Sequence, residues 1–419
     1  MLPYGRQTID DDDIAAVVEA LRAPLLTCGP LVGRFEEALA ARLGAPHASV
    51  CANGTAALHL AYAALDLGPG DELITTPITF SATAAAAYYV GAKVVLGDVD
   101  PRTGNLTPAS VEALITPRTR GITAVHLGGL PVDLTELSAI ARRHSLFVVE
   151  DACHALGATY QGQPIGASPL SDAAVFSFHP VKHITTGEGG AIVTRDPAIK
   201  RRIDRLRHHG IERDPAHLAA PSPGPWGYEV AELGWNYRLP DLNCALGLSQ
   251  LAKLDRFVGR RRELAARYGA ALATTLGDRA LAPLEPTDRT SAYHLFAVAI
   301  DFAAAGVPRA ELMTRLAAAG VGTQVHYIPL RDHPLHAARI ADDGPRPGAA
   351  HYYARTLSLP MFPAMTDADV DQVVHALAHA LEARHEDPAL AARRRQPDGA
   401  GQQVRAHHRR HRLVRQGLR

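Results

Sequence analysis

The chain of 419 residues is 47% hydrophobic and 21% charged, and its 43 Lys and Arg balance 43 Asp and Glu. That length exceeds what one hydrophobic core usually serves, so two domains are expected, and the balanced charge leaves no footprint for nucleic acid or a membrane surface. The four cysteines, Cys28, Cys51, Cys153 and Cys244, form no CxxC pair, which argues against a zinc ribbon or disulfide scaffold and fits a reducing, cytoplasmic compartment.

The opening "MLPYGRQTIDDDD" is polar and acidic and lacks the apolar stretch of a signal peptide. From residue 47 to 195 short β-rich runs recur: "HASVCA", "DELITTP", "AKVVLGDV", "GITAVHL", "LFVVEDA", "AAVFSFH" and "GAIVT". Helical stretches separate many of them, at Thr55–Leu67, Ser81–Val90 and Leu134–His144. The alternation predicts an α/β fold whose mainly parallel sheet lies between helices. Within this region the Ala-rich "ATAAAAYYVGAKVV" is too short and too polar to span a bilayer.

Near Pro240 the texture changes. A long helical pattern, "LNCALGLSQLAKLDRFVGRRRELAARY", leads to a strand in "YHLFAVAID" and a helix around Arg309–Ala319. "GVGTQVHY" and "LSLPMF" read as two further strands, and an amphipathic helix runs from about Asp367 to Ala383. The expected division is a large domain over 1–239, a smaller α+β domain over 240–386, and a basic tail over 387–419. That tail has no apolar period and reads as disordered; it has neither aromatics nor a fold to suggest nucleic-acid binding.

The chemistry gathers around "VFSFHPVKHITTGEGG", Val175 to Gly190, where a core strand runs up to Lys182. A lysine is expensive to bury. It is either a surface-loop residue or an amine placed to attack a carbonyl, a role favoured by partial desolvation. Other segments bear on the choice. "CANGTAALHL" sets Asn53, Gly54 and Thr55 between a strand and a helix, an ordinary cap or a phosphate cradle. Phe80 in "TPITFSATA" follows a strand, as a core residue or a stacking ring. Asp151 in "VVEDACHALGA" ends an apolar strand, where a carboxylate must find a partner or go neutral; a pyridinium N–H is one such partner. His154 lies three residues on, and Asn236, Tyr237 and Arg238 precede the long helix. Cradle, aromatic, strand-end carboxylate and lysine together describe a site for pyridoxal 5′-phosphate.

The combination "NGTAAL", "EDACHALGA", "SFHPVKHITTGEGG" and "NYRLPDLNCALGLSQL" resembles the DegT/DnrJ/EryC1/StrS sugar aminotransferases, over about Leu2 to Ala383. The resemblance implies the type I aminotransferase fold and dependence on pyridoxal phosphate. It further implies that Lys182 carries the cofactor as a Schiff base and later shuttles the proton, and that Asp151 pairs with the ring nitrogen. His154 would lie near the ring face or its O3′, and Phe80 would stack on the ring. Gly54, Thr55 and Ser177 would hold the phosphate. Asn236 would reach the phosphate in a neighbouring subunit, which implies a homodimer with shared sites. The opening segment, the lysine loop, "GTQVHYIPL" and "LSLPMFPAMTDADV" are similar to the transaminases of pseudaminic acid synthesis. That implies amination at C4 of UDP-2-acetamido-2,6-dideoxy-β-L-arabino-hex-4-ulose with L-glutamate as donor.

The chain departs from the family pattern at Leu130 and Val132, close to His126. Related dehydratases carry histidine at the lysine position, and Lys182 argues against that activity. Two other classes stay open. Twenty-one histidines, with His126, Asp151, His154 and His179 near strand ends, suggest a metal-dependent hydrolase, although no HExxH spacing occurs and no metal site is expected. A catalytically silent fold that only binds is the third, against which the intact Lys182 and Asp151 argue.

Overall fold

The computed structural model describes residues 1–222, 224–341 and 344–382; the basic tail from residue 387 lies outside them. The centre is a seven-stranded sheet in the order His47–Cys51, Gly190–Thr194, Ala173–Ser177, Phe147–Asp151, Thr119–Val125, Glu72–Thr75, Lys93–Leu96. Neighbours from Ala173–Ser177 outward to Lys93–Leu96 pair in parallel, whereas Gly190–Thr194 is antiparallel to both its neighbours.

Buried on both faces, the strands have side chains that divide with a period of two. Val148, Ala174, Phe176, Ala191 and Val193 enter one core with Phe35, Leu39 and Cys244. Val149, Val175 and Ile192 face the other way, against Leu58, Tyr62 and Ala84. The helix Gly54–Ala64 is buried over most of its circumference, as its Ala-rich sequence permits. All these parallel strands deliver their carboxyl ends to one edge of the sheet, where ligands bind in open α/β folds.

A further core gathers Leu264, Tyr268, Phe296, Leu312, Leu357, Val370 and Leu377. It joins the antiparallel pair Phe296–Ala299 and Thr356–Leu359 to the helices Arg309–Ala318 and Asp367–Glu382. The change of core falls inside the helix Leu254–Thr275: Phe257 and Val258 belong to the first core, Leu264 and Tyr268 to the second.

Two expectations need correction. The long helical pattern after Pro240 is two helices, Asp241–Leu251 and Leu254–Thr275. At the break the Lys253 ammonium pairs with Asp10 and, at 2.8 Å, with Asp13. The Gln250 amide there donates to the Thr8 carbonyl at 2.9 Å and to Asp13 at 2.7 Å. "GVGTQVHY" is not a continuous strand: it bridges Leu2 at Val321 and Ser358 at Gln324. Changing partner within three residues leaves no ladder long enough to count as one. No helix among the described residues is long and apolar enough to cross a membrane.

Candidate active site

Register builds the floor of the site. Gly190 pairs with Cys51 on one side and Ser177 on the other, which draws the turn after Cys51 against the end of the Ser177 strand. The approach is close enough to require glycine. A Cβ on Gly190 would lie 2.4 Å from the Asn53 carbonyl oxygen, and one on Gly54 would lie 3.0 Å from the Ser177 Cβ. Asn53 caps the helix by accepting from the Ala56 N–H at 2.8 Å. The first N–H groups of a helix have no intrahelical acceptor, so Gly54 and Thr55 present theirs beside the Ser177 hydroxyl, at the positive end of the helix dipole.

The lysine loop is tied closed at its base. The Phe178 N–H donates to the Gly189 carbonyl at 2.8 Å, and the Thr186 N–H to the Phe178 carbonyl at 3.0 Å. A turn from Lys182 N–H to His179 carbonyl, 2.9 Å, presents the lysine. Lys182 is half-buried as a residue, but its ammonium end is enclosed. Burial holds its pKa below the ordinary lysine range; Cys153 and Asp151 oppose that shift, and Arg261 adds to it. His183, the next residue, is turned into the protein, where its Nε2 donates to the Ala292 carbonyl at 3.0 Å.

Asp151, 6% exposed, closes the adjacent strand. Its partners are neutral. Thr83 Oγ1 donates to Oδ2 at 2.7 Å, and the Cys153 N–H to Oδ1 at 3.3 Å. His154 is buried as well. Its Nδ1 accepts from the Gly128 N–H at 3.3 Å. Because a backbone N–H can only donate, the ring proton sits on Nε2, which meets the Tyr327 hydroxyl at 3.1 Å. The imidazole is therefore neutral, in keeping with a pKa held well below the ordinary histidine value by burial and then by Lys182. Tyr327, whose pKa burial raises, leads on to Phe80, with ring centroids 6.1 Å apart. Phe80 is 60% exposed and stands at the open side.

Behind the lysine lies Arg261, which is fully buried and has its pKa pulled down to about 10 by burial. Its Nη1 donates to the carbonyls of Tyr293 and Met361, at 3.1 and 2.9 Å, both at the margin of the second core. His183, His294 and His326 surround the region, all with pKa values lowered by burial.

The structure thus brings Gly54, Thr55, Ser177, Asp151, His154 and Lys182 together, with Phe80 at the rim. Asn236 is exposed on the segment whose Tyr237 carbonyl accepts from the Ala52 N–H at 2.8 Å. The hydrolase set does not assemble. His126 points across the sheet to Glu150, 2.9 Å away, and accepts from the Val132 N–H, while His179 is exposed. No group of three His, Cys, Asp or Glu among the described residues could hold a metal ion. The sequence reading missed Thr83 and Tyr327. Thr83 carried a signal, three residues after Phe80 on the same helix start; Tyr327 carried none that singled it out.

A helix start with free N–H groups, packed closely on Ser177 and Gly190, suits a phosphate. A buried carboxylate with neutral partners suits a protonated ring nitrogen, and an amine whose pKa is lowered by burial suits an aldehyde. The residues present fit pyridoxal 5′-phosphate, and fold and site together define an aminotransferase dependent on that cofactor. Residues 7–378 match the DegT/DnrJ/EryC1/StrS aminotransferase family, and the chain belongs to it. The spore coat polysaccharide biosynthesis protein SpsC of Bacillus subtilis is 41% identical over 378 residues, 90% of this chain and 96% of its own. Helicobacter pylori PseC, an aminotransferase involved in the biosynthesis of pseudoaminic acid, superposes with a TM-score of 0.84 at 31% identity, covering 91% of this chain and 99% of its own. Spr1654 of Streptococcus pneumoniae, described as a sugar aminotransferase, matches in its PMP form with a TM-score of 0.84 at 27% identity, over 91% and 99% of the two chains; its PLP form has also been solved.

Proposed function

We propose that this sugar aminotransferase moves the amino group of L-glutamate to C4 of a UDP-linked 4-keto-6-deoxy-N-acetylhexosamine, giving a 4-amino sugar nucleotide for pseudaminic acid synthesis. The observation that carries the reading is Lys182, its amine desolvated beside the Asp151 carboxylate. Pyridoxal phosphate supplies the electron sink that makes the donor's Cα proton labile. The chain's residues do the rest. Lys182, its pKa lowered by burial, would hold the cofactor and, once released, act as general base and then general acid. Asp151 holds the proton on the ring nitrogen. Neutral His154 fixes the Tyr327 oxygen, whose own hydrogen is left to aim at the bound group. Phe80 would cover the ring from the open side, and Gly54, Thr55 and Ser177 would bind the phosphate.

In this reading Asn236 completes the phosphate site of a second copy. Apolar side chains exposed near it, Trp226, Tyr228, Val230 and Leu233, suit burial in a homodimer. In the same reading a large domain over 1–239 carries most of the site, and a smaller domain over 240–386 contributes Tyr327 and Arg261. The four free cysteines suit the cytoplasm.

A second reading keeps the chemistry and changes the sugar. The greater identity to SpsC, 41% against 31% for PseC, favours another UDP- or dTDP-linked keto sugar. A panel of UDP- and dTDP-linked 4-keto-6-deoxy sugars with glutamate, followed by mass spectrometry, tests both. Amination of the UDP-N-acetyl substrate first and fastest is expected. Preference for a dTDP sugar would select the second reading, and no amination of any would sink both.

A further inference from the structure

Asp151 poses a physical problem that its own strand does not solve. A carboxylate and a pyridinium removed from water can hold their shared proton in two ways: as an ion pair, or as a neutral acid beside a neutral ring. A low-dielectric site penalises the charged pair, and only the charged pair gives a strong electron sink. Something must favour the anion at Asp151.

The helix start Ala82–Tyr89 supplies it. Thr83 Oγ1 lies 2.7 Å from Asp151 Oδ2 and 2.9 Å from Thr79 Oγ1. All three side chains are buried, with exposures of 1%, 6% and 3% for Thr83, Asp151 and Thr79. A threonine on a helix commonly turns its hydroxyl to the carbonyl one turn back; this one is directed away, to a carboxylate. An ionised carboxylate can only accept, so Thr83 spends its single proton on Oδ2, and its oxygen is free to accept from Thr79. The helix start is itself fixed from behind: the Tyr62 hydroxyl donates to the Thr83 carbonyl at 3.2 Å and meets Thr123 Oγ1 at 3.0 Å.

We propose that Thr83, backed by Thr79, is a positioning residue that holds Asp151 as an oriented anion and so keeps the shared proton on the cofactor's ring nitrogen. This rests on the reading of the site as one for pyridoxal phosphate. A hydroxyl donating to a charged group is worth enough to move an equilibrium roughly tenfold to a hundredfold. Removing it raises the affinity of Asp151 for the proton and draws the proton off the ring.

The test uses full-length protein loaded with cofactor labelled with ¹⁵N in the ring. Wild type is expected to give the signal of a protonated ring nitrogen. Thr83→Val is expected to move it toward the unprotonated value and to lower kcat roughly tenfold to a hundredfold, with a smaller change in KM. Thr83→Ser, which keeps the donor, restores both. Should the valine variant fail to fold, Thr83→Ala carries the same expectations. A variant lacking the hydroxyl whose ¹⁵N signal and kcat match wild type overturns the proposal, as does one with lower thermal stability but an unmoved ¹⁵N signal. Wild-type protein that takes up no cofactor would overturn the parent reading, a failure distinct from the other two.

Discussion

The proposed function gives Lys182 and Asp151 separable duties, and single substitutions should separate them. In the proposed function Lys182 is the covalent attachment, so in Lys182→Ala turnover should fall to background and the absorbance band of the lysine-bound cofactor should be lost, while the far-ultraviolet dichroism stays native. Unchanged turnover would remove the central claim. Asp151→Asn keeps the shape and the Thr83 contact but cannot act as a counter-ion. Its rate should fall by orders of magnitude, with a smaller loss of cofactor affinity by titration; equal losses would make Asp151 structural. Lys182, Asp151 and His154 were legible because each sits in a contiguous motif at a strand end. Thr83 and Tyr327 were not, since they reach their partners across 68 and 173 residues of sequence, and no local pattern encodes such a meeting.

The decisive element is the antiparallel strand Gly190–Thr194, which fits between Cys51 and Ser177 only because its first residue has no side chain. Gly190→Ala places a methyl group 2.4 Å from a backbone oxygen. The strand ends must part, at a cost of about 1–3 kcal/mol, and the phosphate cradle opens with them. Equilibrium denaturation and cofactor titration should both register the change, with affinity down about tenfold or more; unaltered affinity would detach the cradle from this register. Strands such as "LFVVEDA" and "GAIVT" announced themselves through β-branched runs bounded by turns. The break at Lys253 did not, because residues 250–253 keep helical composition and are interrupted by partners at residues 8 to 13. "GVGTQVHY" misled for the reverse reason: strand-like composition, with no neighbour long enough to pair.

At the scale of the whole molecule, buried histidines set a floor on pH. His59 and His326 have pKa values lowered by burial to about 4, against about 6.5 in the unfolded chain. The unfolded chain takes up the proton first, so their contribution to stability is complete above about pH 6.5 and is lost as pH falls toward 4. For His326, the more deeply enclosed of the two, this is worth about 3 kcal/mol at that limit. Denaturant midpoints should therefore fall steeply across this window, and His326→Gln should flatten the fall; a slope unchanged by the substitution would place the acid lability elsewhere. Association is tested by mixing Lys182→Ala with Asn236→Ala protein and allowing exchange. If Asn236 serves the partner's site, a mixed dimer has one site with both lesions and one with neither, and activity rises to roughly a quarter of wild type on random exchange. If it serves its own site, every site keeps one lesion and mixing restores nothing.

The N-terminal segment has a consequence of another kind. Leu2 exchanges hydrogen bonds with Gly320 and Gly322, the Tyr4 carbonyl accepts from Met361, and Asp10 and Asp13 hold Lys253. These residues are made long before Lys253, Gly320, Gly322 and Met361. Leu2 and Tyr4 must therefore wait for these partners until residues 320 to 361 have been made. Such late closure of distant contacts is slow and leaves incomplete surfaces exposed in the meantime. Synthesis rate and chaperone supply, rather than the stability of the finished fold, should then govern how much active enzyme a cell obtains.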